Sequence, residues 1–164
     1  MKNKDKIIFR PIGIIHSPFK TMKGTPIQST AVKDAEGTIE IYTEFVEGLR
    51  DLDGFSHIQL LFYFHLSKKF KLEVMPYMDD KLHGVFSTRA PSRPNNIGLS
   101  VVRLIKIEGN ILHIKNIDMI EGTPLIDIKP FVSKFDNIDV EKIGWLENKI
   151  HKLSETKDDE RFVK

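Results

Sequence analysis

The residues best suited to chemistry lie in one stretch, residues 87–100 (STRAPSRPNNIGLS), which combines two arginines, two prolines and two adjacent asparagines. Arginine binds carboxylate and phosphate groups because its planar guanidinium donates two parallel hydrogen bonds. The prolines restrict the backbone, and Gly98 permits a close backbone approach. The stretch therefore predicts a preordered loop that presents four side chains to an anionic or polar ligand, Arg89, Arg93, Asn95 and Asn96. The alternative is a structural turn whose arginines pair with nearby acids.

Two further candidates stand where predicted strands end. In residues 57–65 (HIQLLFYFH) every second side chain from Ile58 is apolar, which predicts a core face, and the opposite face ends at His65. His65 is thus predicted to line a pocket, unless that face only meets solvent. Asp118 follows a predicted strand and could accept a ligand's amine or hydroxyl. Asp127 and Lys129 would share one face and are equally compatible with a surface ion pair.

The elements that must position these residues are mostly strands. Residues 7–16 predict an edge or bulged strand interrupted by Pro11, residues 38–42 alternate, and residues 44–52 suggest a short helix. Residues 99–108 and 111–117, joined by a Gly-Asn pair, predict a hairpin. Short strands with turn signals and few helices predict a mostly β, barrel-like domain over residues 1–135.

Residues 136–164 are predicted to form a C-terminal helix and a solvated tail. Asp139 is a plausible N-cap, and an apolar stripe follows at three- and four-residue spacing, formed by Ile143, Leu146, Ile150 and Leu153. This stripe is expected to pack on the protein's own sheet, with a partner subunit as the alternative.

Composition limits the function classes. The chain has 164 residues, 40% hydrophobic and 29% charged, which suits one globular domain. Its apolar runs are too short for a transmembrane helix, and no signal peptide is evident, so no membrane association is expected. It has no cysteine, which excludes disulfides and thiolate chemistry and suits a cytoplasmic protein. No metal site is predicted, and no glycine-rich Rossmann or phosphate-binding loop is present.

Five segments, in this order, resemble the TsaA/TrmO-like family of S-adenosyl-L-methionine-dependent tRNA (adenine-37 N6) methyltransferases. They are GIIHSPF, GTPIQ, DGFSHIQLLFYFH, GVFSTRAPSRPNNIGLS and DMIEGTPLIDIKPF. The resemblance implies a non-Rossmann β-barrel methyltransferase that works as a homodimer, with the cofactor near the subunit interface. It also implies that the substrate is the anticodon loop of tRNA, where threonylcarbamoyl-adenosine 37 would be methylated on N6.

The resemblance also implies a set of cofactor-binding residues: Pro26, Ile27, Gln28, His65, Leu66, Arg89, Leu99, Lys115, Asn116, Ile117 and Asp118. Asp118 and His65 are the candidates for the catalytic base, because the attacking nitrogen must lose a proton. Arg93, Asn95, Asn96 and the basic cluster of Lys68, Lys69 and Lys71 are expected to contact the substrate. A noncatalytic RNA- or nucleotide-binding module and a small-molecule methyltransferase remain alternatives.

Overall fold

The structure is a computed structural model that describes residues 6–29 and 34–162. Its strands are β1 (Gly13–His16), β2 (Glu36–Ile41), β3 (His57–Tyr63), β4 (Glu73–Val74), β5 (His83–Gly84), β6 (Ile97–Glu108), β7 (Ile111–Lys115) and β8 (Thr123–Pro130). The helical segments are one α-helical turn, α1 (Ser133–Asp136), and 3-10 helices at Thr43–Leu49, Leu52–Gly54, Val85–Ser87, Gly144–Leu146 and Ile150–Lys152. No helix in the described ranges is long and apolar enough to cross a membrane.

Six strands close an antiparallel barrel in the order β1, β2, β7, β6, β3, β8, and β4 pairs with β5 in a separate two-stranded sheet. The predicted mostly β, barrel-like fold is confirmed. The first strand begins only at Gly13, after the interruption expected at Pro11. The short helix predicted for residues 44–52 is present as 3-10 turns. The strands end at Pro130, and a domain boundary after residue 135 stays a prediction.

The barrel interior is the hydrophobic core, and β3 shows how the sequence builds it. Ile58 and Leu60 are fully buried and Phe62 nearly so, whereas the residues between them face outwards. This alternation follows from the two-residue period of a strand. The core side of β3 was therefore predicted correctly.

The predicted hairpin is formed by β6 and β7, with the turn at Gly109 and Asn110. Gly109 adopts a positive φ of 62°, but Asn110 does not. Asn110 instead donates its Nδ2–H to the carbonyl oxygen of Ile41 at 2.9 Å, which ties the turn to β2. The asparagine thus serves as a side-chain donor and not as a second residue of positive φ.

The C-terminal helix predicted from Asp139 is wrong. Residues 137–143 form no helix, and only two 3-10 turns follow within the described part of the chain. Gly144 adopts a positive φ of 60°, which interrupts a right-handed helix near its start. The apolar stripe does not form one buried face, because Ile143 and Ile150 each remain over two-fifths exposed.

Candidate functional site

Two loops outside the barrel meet through Arg89 and Gln28. The guanidinium Nη1 of Arg89 donates a hydrogen bond of 2.7 Å to Oε1 of Gln28. The two residues are 61 positions apart in the chain, so the contact joins the GTPIQ loop to the arginine-rich loop. Both residues belong to the predicted cofactor set, and the structure brings them together.

Asp118 lies at the same place, just after β7. Its Oδ2 accepts a 3.1 Å hydrogen bond from Oγ of Ser100, while its Oδ1 is buried without a hydrogen-bond partner among the described residues. Burial raises the pKa of Asp118 from 3.8 to about 6, although Ser100, backbone groups including that of Ser29, and the charge of Arg89 act in the opposite direction. An unpaired buried carboxylate oxygen is costly, and such groups concentrate at functional sites.

Ser100 is the site residue that sequence reasoning missed. It lies on β6 in the inward-facing row with Gly98, Val102 and Leu104, and it is 8% exposed. A hydroxyl at a position where the strand period predicts an apolar side chain was the available signal. Such a group needs a hydrogen-bond partner, and Asp118 supplies it.

The residues that precede Asp118 in the predicted cofactor set, Lys115 to Ile117, differ in the contacts that their side chains make. Lys115 is paired with Glu36 at 3.1 Å. Asn116 has a positive φ of 64° and accepts a hydrogen bond from the backbone N–H of Asp34 at 3.2 Å. The side chain of Ile117 is fully buried in the core. A ligand contact at Ile117 would therefore have to use its backbone, and the predicted roles of Lys115 and Asn116 stay predictions.

The side chains of Arg93 and Asn96 donate hydrogen bonds to backbone carbonyl groups of their own loop and the chain just before it. Nη1 of Arg93 donates to the carbonyl oxygens of Thr88 at 2.8 Å and Val85 at 3.1 Å. Nδ2 of Asn96 donates to the carbonyl oxygen of Pro91 at 2.9 Å. The loop is thus stiffened by side-chain hydrogen bonds as well as by its prolines. Substrate contacts by Arg93, Asn96 and the exposed Asn95 stay predictions.

The end of β3 is fastened to the same loop. The backbone N–H of Phe64 donates to the carbonyl oxygen of Asn96 at 2.8 Å. His65 follows, and its partial burial lowers its pKa, which favours the neutral imidazole. Leu66 and Leu99 are 40% and 52% exposed, so each presents an apolar side chain at the surface. The cofactor contacts expected at Pro26, Ile27, His65, Leu66 and Leu99 stay predictions.

The basic cluster borders the arginine-rich loop, since the backbone N–H of Lys71 donates to the carbonyl oxygen of Ser92 at 3.2 Å. Lys68, Lys69 and Lys71 are exposed. A groove of about 600 Å³ is lined by ion-paired side chains that include His16, Glu121 and Lys115. It shares only Lys115 with the predicted site. The described residues hold no cluster of three or more acidic or histidine side chains placed to bind a metal ion.

Residues 14–137 match the family model of the tRNA-methyltransferase O N-terminal domain. A probable S-adenosyl-L-methionine-binding protein of Pyrococcus abyssi is 57% identical over 156 residues, which is 95% of this chain and 85% of that relative. The human tRNA (adenine(37)-N6)-methyltransferase is 37% identical over 139 residues, covering 80% of this chain and 31% of the human protein.

The barrel is also similar to solved structures. The crystal structure of TrmO from Pseudomonas aeruginosa superposes with a TM-score of 0.72 at 38% identity, over 86% of this chain and 63% of that protein. This chain thus spans under two thirds of the solved relative and under one third of the human one. The matched segment nevertheless includes Arg89, Asp118 and the whole barrel except Gly13, the first residue of β1. The chain therefore belongs to the tRNA-methyltransferase O family.

Proposed function

We propose that this protein is an S-adenosyl-L-methionine-dependent methyltransferase that modifies N6 of adenine 37, or of threonylcarbamoyl-adenosine 37, in tRNA. The names of the relatives indicate the cofactor and the substrate class, because one is named for binding S-adenosyl-L-methionine and another for methylating tRNA. The single structural observation that supports the proposal best is the buried Oδ1 of Asp118, which has no hydrogen-bond partner among the described residues and lies near the Arg89–Gln28 pair.

The chemistry of these donors and acceptors fits the methionine part of the cofactor. That part carries a carboxylate and an ammonium group on one carbon atom. Arg89 can bind the carboxylate, because only one of its hydrogen bonds is used by Gln28 in the structure. The unpaired oxygen of Asp118 can accept a hydrogen bond from the ammonium group. Leu66 and Leu99 offer apolar surface at positions that the family resemblance assigns to the cofactor.

When bound, the cofactor supplies an electrophilic methyl group, and the protein's task is to position the acceptor nitrogen and remove its proton. Two side chains of this chain suit proton removal. His65 is favoured in its neutral form, which can accept a proton on a ring nitrogen. Asp118, with a pKa of about 6, is ionised at neutral pH and can also accept one. If Asp118 binds the ammonium group, His65 is the remaining candidate.

The substrate is proposed to be the anticodon loop, since single-stranded loops are where RNA bases can be unstacked into protein pockets. Lys68, Lys69 and Lys71 are exposed and can contact its phosphates. We further propose a homodimer in the cytoplasm. Support for the dimer comes from the outer surface of β3, β6 and the chain following β3, where several large apolar side chains are 40–52% exposed: Tyr63, Leu66, Leu99 and Ile105.

The test combines cofactor binding with product analysis. Calorimetry should show that the wild-type protein binds S-adenosyl-L-methionine and that Arg89→Ala does not. Arg103→Ala, at an exposed position of β6, is the matched control and should bind normally. Nucleoside mass spectrometry of tRNA incubated with protein and cofactor should reveal a new N6-methylated adenosine derivative.

Other outcomes of this test identify the alternatives. The name of the Pyrococcus relative mentions the binding of S-adenosyl-L-methionine and no methyl transfer. If this protein binds RNA without transferring a methyl group, a noncatalytic module is favoured. Transfer to a small molecule that persists after Lys68, Lys69 and Lys71 are neutralised would favour a small-molecule methyltransferase. Unchanged cofactor affinity in Arg89→Ala would remove that arginine from the site.

A further inference from the structure

Residues 144–162, called here the C-terminal segment, run across both loops that carry the candidate site. Gln28 and Arg89 themselves lie outside the six barrel strands, so the hydrogen bonds between those strands do not fix the distance between the two residues. The C-terminal segment contacts the two loops at three separate places. These contacts suggest a role for it beyond that of a solvated tail.

The first place is the chain leading to Arg89. Trp145 donates its indole N–H to the carbonyl oxygen of Ser87 at 2.9 Å, and its ring stacks on that of His83 at 4.7 Å. Lys149 pairs with Asp79 at 2.7 Å, and the Asp79 side chain is only 5% exposed. A buried carboxylate loses much of its stabilisation when its cation is removed. Asp79 also contacts Nε2 of His83 at 3.2 Å, so this carboxylate joins Lys149 to the residue on which Trp145 stacks.

The second place is the loop that carries Gln28. Lys157 pairs with Pro26 in an isolated antiparallel bridge. Beside this bridge, the N–H of Gly24 donates to the carbonyl oxygen of Asp158 at 2.8 Å, and the N–H of Asp158 donates to the carbonyl oxygen of Thr25 at 2.9 Å. Within the described residues, the other hydrogen bonds of residues 24–26 stay inside their own turn. The C-terminal segment is therefore their main external attachment.

The third place lies under the arginine-rich loop. Phe162 packs against a small core cluster of Val74, Val85 and Ala90, separate from the barrel core. The hydroxyl of Ser92 donates to the carbonyl oxygen of Phe162 at 3.3 Å. Arg89 lies between these contact residues in the sequence: Val85, Ala90 and Ser92. The packing of Phe162 therefore supports the part of the loop that carries Arg89.

We propose that the C-terminal segment is a positioning element of the cofactor site: by docking on both loops, it holds Gln28 and Arg89 at the separation that binds the methionine part of the cofactor. This inference rests on the proposed function. When the segment undocks, the fraction of molecules with a competent site falls, and the apparent dissociation constant rises by the same factor. Lys149, Trp145 and Phe162 act through the loops and do not contact the cofactor.

The variant that tests this is Lys149→Ala, which leaves Asp79 buried without its lysine. Lys149→Arg restores a cation, and Lys142→Ala is the matched control, because Lys142 is exposed and makes no described ion pair. Trp145 is the single tryptophan of the chain, so its fluorescence reports directly whether the segment is docked. Circular dichroism and thermal unfolding check that the barrel is intact.

In calorimetry we expect Lys149→Ala to bind S-adenosyl-L-methionine about tenfold or more weakly than the wild type. Lys149→Arg should recover affinity to within about twofold, and Lys142→Ala should match the wild type. The emission of Trp145 should shift towards that of an exposed indole in Lys149→Ala and return when saturating cofactor is added. If the segment were only a structural support, adding cofactor would not make it dock again.

Two results would overturn the inference. One is wild-type affinity in Lys149→Ala while Trp145 emission shows an undocked segment. If Lys149→Ala does not fold, Phe162→Ala, which removes the ring packed against Val85 and Ala90 and keeps Trp145 as the reporter, replaces it. Unchanged affinity in that variant with an undocked Trp145 emission is the second. A wild-type protein without affinity for the cofactor would instead refute the proposed function together with the inference built on it.

Discussion

Replacing Asp118 with Asn should stabilise the fold while it impairs the proposed activity. Asp118 accepts a hydrogen bond from Ser100 through one carboxylate oxygen, and the other oxygen is buried without a partner among the described residues. Asn has almost the same shape and can still accept the Ser100 hydrogen bond, but it carries no charge. The substitution therefore removes the cost of keeping an ionised carboxylate in a buried position.

The size of this cost follows from the pKa of Asp118, which burial raises from 3.8 to about 6. At 1.36 kcal/mol per pKa unit, the difference corresponds to about 3 kcal/mol. Because the pKa is higher in the folded state, the folded protein binds the extra proton between pH 3.8 and 6, and stability falls as the pH rises through this window. The buried amide N–H of the variant offsets about 1 kcal/mol of the gain. We therefore expect a net stabilisation of about 2 kcal/mol at pH 8. At pH 4 only about 0.5 kcal/mol of the cost remains, so the variant should be slightly less stable than the wild type.

Thermal unfolding of both proteins at pH 4 and pH 8 measures the effect. For a domain of this size, about 2 kcal/mol should raise the melting temperature of the variant by roughly 4–8 °C at pH 8. Asp127→Asn is the control, because the Asp127 carboxylate is 42% exposed and pairs with Lys129 at the surface. An equal difference in melting temperature at both pH values, or a variant less stable at pH 8, would refute the reasoning.

Two other substitutions test the barrel and the RNA surface. Gly98→Ala would place a Cβ atom in collision with the ring of Phe62, so we expect chemical denaturation to show a loss of about 1–3 kcal/mol in the free energy of unfolding. Gly48→Ala, whose Cβ atom would have no neighbour within 4 Å, should cost far less. Neutralising the three lysines of the basic cluster should weaken tRNA binding uniformly across sequences and reduce the salt dependence measured in filter binding. An unchanged salt dependence would place the RNA elsewhere on the protein.

The strands could be predicted because their signals are local. The alternation in β3 and the Gly109–Asn110 turn depend on neighbouring residues, and the structure confirms both elements. The C-terminal segment also has an apolar periodicity, but the positive φ of Gly144 and the docking of Trp145 on Ser87 override it. Helical spacing alone cannot show that a side chain will find a better partner 58 residues away.

In the candidate site, as in the fold, the sequence predicts local features and not the contacts between distant segments. Arg89 and Asp118 were predicted from their own sequence surroundings and Gln28 from the family resemblance, but nothing in their spacing shows that Gln28 accepts a hydrogen bond from Arg89. Ser100 was missed, since its role depends on the inward side of β6 facing Asp118. The substrate contact expected of Arg93 stays a prediction, whereas its hydrogen bonds to the loop carbonyls of Val85 and Thr88 could not be read from the sequence. Contacts between segments distant in the chain are where sequence patterns carry no information.

Because the pKa of Asp118 is about 6, proton release on cofactor binding near pH 6 tests whether the ammonium group of the ligand contacts Asp118. At that pH about half of the Asp118 carboxyls are protonated in the free protein, since the pKa is about 6. A ligand ammonium group placed against Oδ1 favours the ionised form, so binding at pH 6 should release roughly half a proton per site. Calorimetry in two buffers of different ionisation enthalpy measures this release directly. Binding without proton release at pH 6 would mean that the ammonium group lies away from Asp118, and the unpaired carboxylate oxygen would then be free to act on the acceptor nitrogen of the substrate.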